Sequence, residues 1–401
     1  MRCRRVDQQE KIFWFTVQYI LSNPIPVLIM LPPAGSSPAE LWLAEGRRAA
    51  AVDMLRRLSS INVVGPIYVF AAEKEDREVL SSIGGIALER PKGSFNFGRE
   101  LTCWVEDGGF QRIAYFGGAS APLMTTDRLQ EVFDLALEAE RPTAVVNNYH
   151  SSDWVVLNHA GSIISLAEKL QTDNSLGWVL DHEIGYEVKS LDPSAATRAD
   201  IDTPTDLLLL YRHPHLGSHL ESFLAQTPMG ALERVERMRE VLVTPARALV
   251  LIGRASSHVW RTLEQETQIW VRVFAEERGM VASGRSERGE VQSLVGAFID
   301  SWGPEAFVRR LSEMADGVLW DTRVWMAHRG IWPSNANRFA ADLGWEDQIT
   351  DSALRELTQA VSQASIPIIT GGYGVVSGGI YASIEALQGG GYQPSRYGRQ
   401  S

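Results

Sequence analysis

Short apolar stretches alternate with helical patterns through the first half of this 401-residue chain. Uninterrupted apolar runs of roughly four to eight residues are typical of strands that are buried on both faces of a sheet. Helices between such strands favour parallel pairing, because a parallel connection has to cross one face of the sheet. The pattern therefore predicts a three-layer α/β domain with a mostly parallel sheet. Its strands are expected at residues 26–31, 66–72, 113–118, 143–149 and 154–160.

The pattern changes after residue 212, where helical periodicity replaces the alternation of strands and helices. Within the second half, residues 247–253 form a candidate strand and residues 257–364 are expected to be mainly helical. The predicted organisation is an N-terminal extension (1–23), an α/β domain (24–212), a helical linker (213–245), a mainly α domain (246–390) and a loose tail (391–401).

The charge and the cysteine content restrict the partners and the compartment. A net charge of −11 disfavours nucleic acid and anionic membranes, which call for a basic face. The two cysteines, Cys3 and Cys103, form no CxxC pair, which favours the cytoplasm. Pro24 and Pro26 interrupt the apolar N-terminal stretch, which makes it a poor membrane span. We expect a cytoplasmic protein without a nucleic-acid or membrane partner, and a small anionic ligand is compatible with this charge.

The second half of the chain is rich in tryptophan. Large aromatic side chains there can fill a helical core, and the alternative is an interface between copies of the chain. A homo-oligomer through this half is therefore a prediction. The residues concerned are Trp260, Trp270, Trp302, Trp320, Trp325, Trp332 and Trp345.

Four motifs in the first half occur in an order that carries a family resemblance. Residues 31–37 read "LPPAGSS", residues 93–101 "GSFNFGREL", residues 116–129 "FGGASAPLMTTDRL" and residues 200–207 "DIDTPTDL". Together they resemble the GT-A-like nucleotidyltransferases, which include the molybdenum-cofactor guanylyl- and cytidylyltransferases. The resemblance implies a GT-A or Rossmann-like sheet in the first domain.

The resemblance also implies an activity and a set of site residues. Members transfer a nucleoside monophosphate from a nucleoside triphosphate to a small phosphorylated acceptor with Mg²⁺, and neither the base nor a catalytic residue is indicated here. Asp202 is the implied metal ligand, with Asp200 as the other candidate and Asp153 as a further carboxylate. The implied nucleotide-binding residues are Ala34, Gly35, Ser36, Ser37, Asn96, Gly118 and Ser120.

Two departures from the family pattern leave the activity open. The basic residues of the family's first loop are replaced by "PAE" at residues 38–40. Ser120 stands where the family has a metal-binding aspartate, and a hydroxyl is a poor ligand for Mg²⁺. The chain is therefore either a transferase with a variant site or a catalytically degenerate fold that serves as an assembly, scaffold or regulatory protein. Asp202 or Thr203 can also simply cap the following helix.

A second anion site is suggested in the C-terminal half. Gly371, Gly372 and Gly374 precede a predicted helix, where backbone N–H groups can approach a phosphate or carboxylate. Arg278 and Arg285 lie in a Gly- and Ser-rich stretch and can bind an anion in a bidentate manner. The alternatives are close packing for the glycines and a salt-bridged loop for the arginines.

Overall fold

The structure is a computed structural model that describes residues 24–89 and 95–391. By its contacts the chain divides into two compact units. Unit 1 contains the described residues up to Pro33 together with Arg47–Thr197, and unit 2 contains Ala34–Gly46 and the described residues from Arg198 onward. The division falls at residue 197, whereas the sequence predicted a domain boundary at 212. The predicted N-terminal extension and nearly all of the predicted tail lie outside the described residues.

Unit 1 contains a seven-stranded sheet in the order β3-β2-β1-β4-β6-β5-β7. Strand β6 is antiparallel to β4 and β5, and the other pairs are parallel. The strands are β1 (Ile25–Leu31), β2 (Val64–Ala71), β3 (Ile86–Leu88), β4 (Arg112–Gly117), β5 (Thr143–Val146), β6 (Trp154–Asn158) and β7 (Glu187–Ser190).

Both faces of this sheet are covered by apolar side chains. All seven residues of β1 are buried, and alternate residues serve opposite faces. Val27 and Ile29 belong to one core cluster, whereas Leu28 and Met30 belong to the other. An apolar run without alternation is the pattern that such a doubly covered strand produces. The predicted three-layer α/β domain with a mostly parallel sheet is confirmed.

Helices connect the strands of unit 1. The first one begins in unit 2 and ends in unit 1. The helices are α1 (Pro38–Ser59), α2 (Lys74–Ser82), α3 (Phe97–Gly108), α4 (Thr126–Leu137), α5 (Leu176–Ile184) and α6 (Ala195–Arg198), with 3-10 turns at Ala160–Leu166 and Asp173–Ser175.

Unit 2 is rich in helix, as predicted, and it also contains a four-stranded sheet. The order is β11-β10-β8-β9, and all three pairs are parallel. Strands β9 and β10 lie in the stretch that was expected to be mainly helical, because short apolar runs do not distinguish a strand from a buried helix. The strands are β8 (Ala248–Gly253), β9 (Trp270–Ala275), β10 (Gly317–Asp321) and β11 (Ile368–Gly371).

Ten helices are described in unit 2 after α6, and two 3-10 turns accompany them. No helix among the described residues is long and apolar enough to cross a membrane. The helices are α7 (Pro204–Leu210), α8 (Ser218–Ala225), α9 (Met229–Val243), α10 (Ser257–Glu266), α11 (Leu294–Trp302), α12 (Pro304–Met314), α13 (Arg323–His328), α14 (Asn335–Leu343), α15 (Ser352–Ser362) and α16 (Gly378–Gly389), and the 3-10 turns are Glu346–Gln348 and Tyr373–Val376.

Candidate functional site

The strand order of unit 1 reverses between β1 and β4. Open α/β sheets bind ligands beside the carboxyl ends of their strands at such a switch point. Here β4 leads into the loop Gly117–Pro122. The N–H of Gly118 donates to the carbonyl of Met30 at 2.6 Å, and a Cβ at Gly118 would lie 2.6 Å from the Leu31 side chain. Gly118 therefore lets the loop approach the end of β1 closely.

Ser120 closes the turn of this loop. Its side chain is buried, and its hydroxyl donates to the carbonyl of Gly117 at 2.8 Å. Its backbone N–H donates to the same carbonyl at 2.9 Å. The next residue, Ala121, has a φ of 51°, which few residues other than glycine adopt. Ser120 thus stabilises a strained turn at the position where the resemblance expects a metal-binding aspartate.

Asp153, from another loop, contacts Gly117 through its backbone. Asp153 directly precedes β6, and its carbonyl accepts a hydrogen bond from the Gly117 N–H at 3.0 Å. Asn147, which follows β5, donates from Nδ2 to Asp153 Oδ2 at 2.6 Å, and its Oδ1 accepts from the Asp153 N–H at 2.9 Å. These two bonds hold Asp153 at the carboxyl edge of the sheet. The sequence offered it only as a further carboxylate, because its loop carries no family motif.

Asn96 and Phe95 precede helix α3. The Oδ1 of Asn96 accepts a hydrogen bond from the Arg99 N–H at 2.9 Å and caps the helix. Phe95 is 45% exposed, and its ring centre lies 6.0 Å from that of Phe70 near the carboxyl end of β2. The amide oxygen of Asn96 is therefore occupied by the cap, and the exposed aromatic ring is that of its neighbour.

The predicted anion nest at residues 34–37 belongs to unit 2 and is filled by a side chain of its own helix. The N–H groups of Ser36 and Ser37 donate to Glu40 Oε2 at 3.1 and 3.0 Å. Gly35 has a φ of 84°, and a Cβ there would overlap the Glu40 side chain. Burial alone would raise the pKa of Glu40, but the hydrogen bonds from Ser37 and Ser36 outweigh it and lower that pKa. The nest thus already holds an anion.

Asp200 and Asp202, the predicted metal ligands, also belong to unit 2. Thr203 is the N-cap of α7, and Asp206 accepts hydrogen bonds from the N–H groups of Asp202 and Thr203 at 3.1 and 2.7 Å. Asp202 lies one residue before this N-cap and is exposed. Within the described ranges, no group of three or more His, Cys, Asp or Glu side chains is arranged to hold a metal. Metal binding by Asp202 stays a prediction.

Asp206 is a buried carboxyl group with only one oxygen satisfied. Its Oδ2 also accepts from the Thr203 hydroxyl at 2.9 Å, whereas Oδ1 has no hydrogen-bond partner in the described part of the chain. Burial, followed by repulsion from Asp202, raises its pKa to about 7. A Cβ at Gly374 would overlap Oδ1, so only glycine fits against this carboxyl group.

The other glycines of the predicted second anion site pack in the same way. A Cβ at Gly371 would lie 2.9 Å from Thr205, and one at Gly372 would lie 2.9 Å from Thr203. The space around their Cα atoms is therefore filled by the chain itself. Close packing accounts for these glycines.

The two arginines of that predicted site differ in their interaction partners. Arg285 Nε lies 2.6 Å from Glu277 Oε1, and its Nη1 lies 3.4 Å from Glu290 Oε2. Arg278 Nη2 lies 3.4 Å from the hydroxyl of Tyr373, which directly follows Gly372. The structure therefore brings Arg278 to the glycine-rich turn, whereas the charge of Arg285 is offset by its acidic neighbours.

In comparisons with protein-family models and with curated proteins, nothing matches the chain. Solved structures give similarities over about half of it. A cytidylyltransferase from Leptospira borgpetersenii is 15% identical, with 54% of this chain and 95% of that one covered and a TM-score of 0.38. A 4-diphosphocytidyl-2C-methyl-D-erythritol synthase from Anaerococcus prevotii is 12% identical, with 46% and 94% covered and a TM-score of 0.32.

A further similar structure is a CMP:2-keto-3-deoxy-manno-octonic acid synthetase complexed with CTP. It is 9% identical, covers 42% of this chain and 89% of that one, and has a TM-score of 0.31. Similarities at these identities and TM-scores identify neither a family nor an activity for this chain.

Proposed function

We propose that this chain binds a nucleotide or another phosphorylated small molecule at the carboxyl edge of the seven-stranded sheet. The proposal rests on Asp153, whose backbone carbonyl contacts Gly117 at the end of β4 and whose carboxylate is held by Asn147. Strand β4 is one of the two strands between which the strand order reverses. A magnesium ion is commonly held by one or two carboxylates together with the phosphates of its ligand. Asp153 would hold such an ion, whose charge would neutralise the phosphates.

The exposed ring of Phe95 supports a ligand with a planar base. The Phe95 ring packs near Phe70 at the carboxyl end of β2 and is partly exposed, so an aromatic surface lies at the same edge of the sheet. Aromatic rings stack on planar groups and add binding free energy beyond simple burial. A nucleotide combines such a base with phosphates, so it fits this edge better than a simple phosphorylated sugar does.

Two candidate functions build on such binding. One is the transfer of a nucleoside monophosphate to a small phosphorylated acceptor, and the other is binding without transfer, as in a scaffold or regulatory protein. Nucleotidyl transfer needs N–H groups and cations aimed at the charge that develops on the phosphates. The N–H groups of Ser36 and Ser37, which the resemblance assigns to that task, donate to the carboxylate of Glu40 instead. This internal anion favours a degenerate site over an active transferase.

Calorimetric titration of the full chain with ATP, GTP, CTP and UTP, with and without Mg²⁺, tests the binding proposal. We expect one nucleotide to bind in a magnesium-dependent manner and to lose this dependence in Asp153→Asn. Asp127→Asn is the matched control, because Asp127 is an exposed residue in the first turn of α4. Asp202→Ala tests the ligand that the resemblance implies. Absence of binding by every nucleotide at millimolar concentration would refute the proposal.

An assay for pyrophosphate release separates the two candidate functions. The nucleotide that binds is incubated with Mg²⁺ and a set of small phosphorylated acceptors. Binding without pyrophosphate release supports the degenerate site, whereas acceptor-dependent release supports the transferase. If Asp153→Asn folds but no longer releases pyrophosphate, Asp153 is assigned as the metal ligand.

A further inference from the structure

The four-stranded sheet of unit 2 has a switch point of its own. Its order, β11-β10-β8-β9, places β9 on one side of β8 and the pair β10 and β11 on the other. The connections that follow β8 and β10 therefore leave the sheet in opposite directions, which opens a crevice at their carboxyl ends. Strand β8 ends at Gly253, which has a φ of 127°, and Arg254 follows it, while β10 ends at Asp321.

Arg254 is held in place at this crevice by Asp321. Its Nε lies 2.6 Å from Asp321 Oδ2, and its Nη2 lies 3.1 Å from Asp321 Oδ1. A bidentate bond of this kind fixes the plane of the guanidinium group. Asp321 is fully buried, whereas the Arg254 side chain is 18% exposed. Arg254 therefore presents the rest of a rigid guanidinium group at the surface of the crevice.

Arg278 and Tyr373 complete the cluster. The guanidinium carbons of Arg254 and Arg278 lie 5.4 and 6.0 Å from the centre of the Tyr373 ring. Arg278 is exposed, and no carboxylate within the described residues lies within 4.0 Å of its guanidinium nitrogens. The guanidinium groups of Arg254 and Arg278 thus both lie close to the Tyr373 ring. No carboxylate among the described residues pairs with Arg278.

The carboxylates beside this cluster have other partners. Glu276 Oε1 accepts from the Ser293 hydroxyl at 2.9 Å, and burial raises the pKa of Glu276. Glu277 pairs with Arg285. Neither carboxylate pairs with Arg278, whose positive charge can therefore attract an anion.

We propose that Arg254, Arg278 and Tyr373 form a binding site for the oxyanion group of a small molecule, either a phosphate ester or a carboxylate. Arg278 supplies the uncompensated charge, Arg254 supplies N–H donors in a fixed plane, and the Tyr373 hydroxyl is a third donor. The site lies within unit 2 and does not depend on the nucleotide site proposed for unit 1.

Titration of the full chain with inorganic phosphate, and separately with acetate, tests this site. We expect binding to weaken by about tenfold or more in Arg278→Ala, because a charged hydrogen bond and its Coulomb attraction are lost. Arg310→Ala is the matched control, since Arg310 is equally cationic, exposed and paired with Glu313 on α12. Arg310→Ala should bind phosphate and acetate as the wild type does. Binding of phosphate alone assigns a phosphate ester, and binding of acetate as well assigns a broader carboxylate class.

One further variant keeps the test decisive. Tyr373→Phe retains the ring and removes the hydroxyl, so it should weaken binding less than Arg278→Ala does. The proposal is overturned if neither anion binds at millimolar concentration, if Arg278→Ala binds unchanged, or if Arg310→Ala weakens the binding as much as Arg278→Ala does.

Discussion

At the scale of single residues, a buried carboxyl oxygen of Asp206 restricts position 374 of the glycine-rich turn in unit 2 to glycine. Asp206 Oδ1 lacks a hydrogen-bond partner in the described part of the chain, and the Cα of Gly374 packs against it. The glycine is therefore required by contact with a carboxyl group, whereas its sequence context suggested a ligand site. Burial and repulsion from Asp202 raise the pKa of the same carboxyl group to about 7.

Gly374→Ala should destabilise the fold by about 1–3 kcal/mol, because the new methyl group would overlap the Asp206 carboxyl group. The free energy of unfolding is measured by urea denaturation. Gly161→Ala is the matched control, since a Cβ at Gly161 would meet no atom within 4 Å. Equal stability of the two variants would contradict the packing argument.

Asp206 should also make stability depend on pH. Its pKa is about 7 in the folded state and 3.8 when unperturbed, so the folded state binds the proton more tightly. The stabilisation is fully present below pH 3.8 and is lost as the pH rises through about 7, at up to about 1.4 kcal/mol per pH unit. Urea denaturation across this window checks the slope, which should be absent in Asp206→Asn. A slope that persists in the variant would assign it to other groups.

At the scale of elements, the start of α1 shows how a helix can satisfy its own N-terminus. The carboxylate of Glu40 accepts from two of the N–H groups that have no partner within the helix. A negative side chain in the first turn also interacts favourably with the helix dipole. Anion binding at this N-terminus would have to displace Glu40.

Glu40→Ala should lower the free energy of unfolding by about 1 kcal/mol, as the loss of a helix cap does. The variant also exposes the N–H groups of Ser36 and Ser37. Inorganic phosphate should therefore raise the midpoint of thermal unfolding of the variant more than that of the wild type. Glu45→Ala, farther along the same helix, controls for the loss of charge. Identical responses to phosphate would show that these N–H groups do not form an anion site.

At the scale of the whole molecule, the two units interleave along the chain. Residues 34–46 are separated in sequence from the rest of unit 2 by the larger part of unit 1. Within unit 2, a Cβ at Gly46 would overlap Leu207, and Thr205 Oγ1 donates to the carbonyl of Thr370 at 2.7 Å. All seven residues of α7 are buried. A boundary at residue 212 would therefore cut through the core of unit 2.

A fragment that ends at residue 212 should fail to fold cooperatively or should aggregate. It would keep α7 while losing β11 and α16, and so expose the apolar side chains of α7. Soluble expression and thermal unfolding of the fragment are compared with those of the full chain. A soluble fragment with a cooperative transition would contradict the division at residue 197.

The predicted homo-oligomer remains to be tested, and the structure separates the tryptophans on which it depends. Trp320 and Trp325 are buried, whereas Trp270 is 67% exposed. If copies associate through this half, Trp270→Lys should shift the sedimentation coefficient toward the monomer. Trp178→Lys, which alters an exposed tryptophan of unit 1, is the control and should leave it unchanged. A monomeric wild type would refute the prediction. The other exposed tryptophans of the second half are Trp260, Trp302 and Trp332.

The α/β architecture of the first half follows from local patterns in the sequence. Strand β1 is apolar throughout because both of its faces are buried, and this local pattern needs no knowledge of distant residues. Strands β3, β7, β9 and β10 were not predicted. Strand β3 has only three residues, β7 is mostly polar, β9 is partly exposed, and the apolar run of β10 does not separate a strand from a buried helix.

The contacts of each candidate site residue, in contrast, depend on how the chain folds. Glu40 fills its own nest, Asn147 holds Asp153 beside Gly117, and Arg278 meets Tyr373 across 95 positions of sequence. Such contacts join residues that are far apart in the chain or that compete for one donor. The sequence does not identify the hydrogen-bond or ion-pair partner of each side chain, because these interactions depend on distance and burial in the folded state.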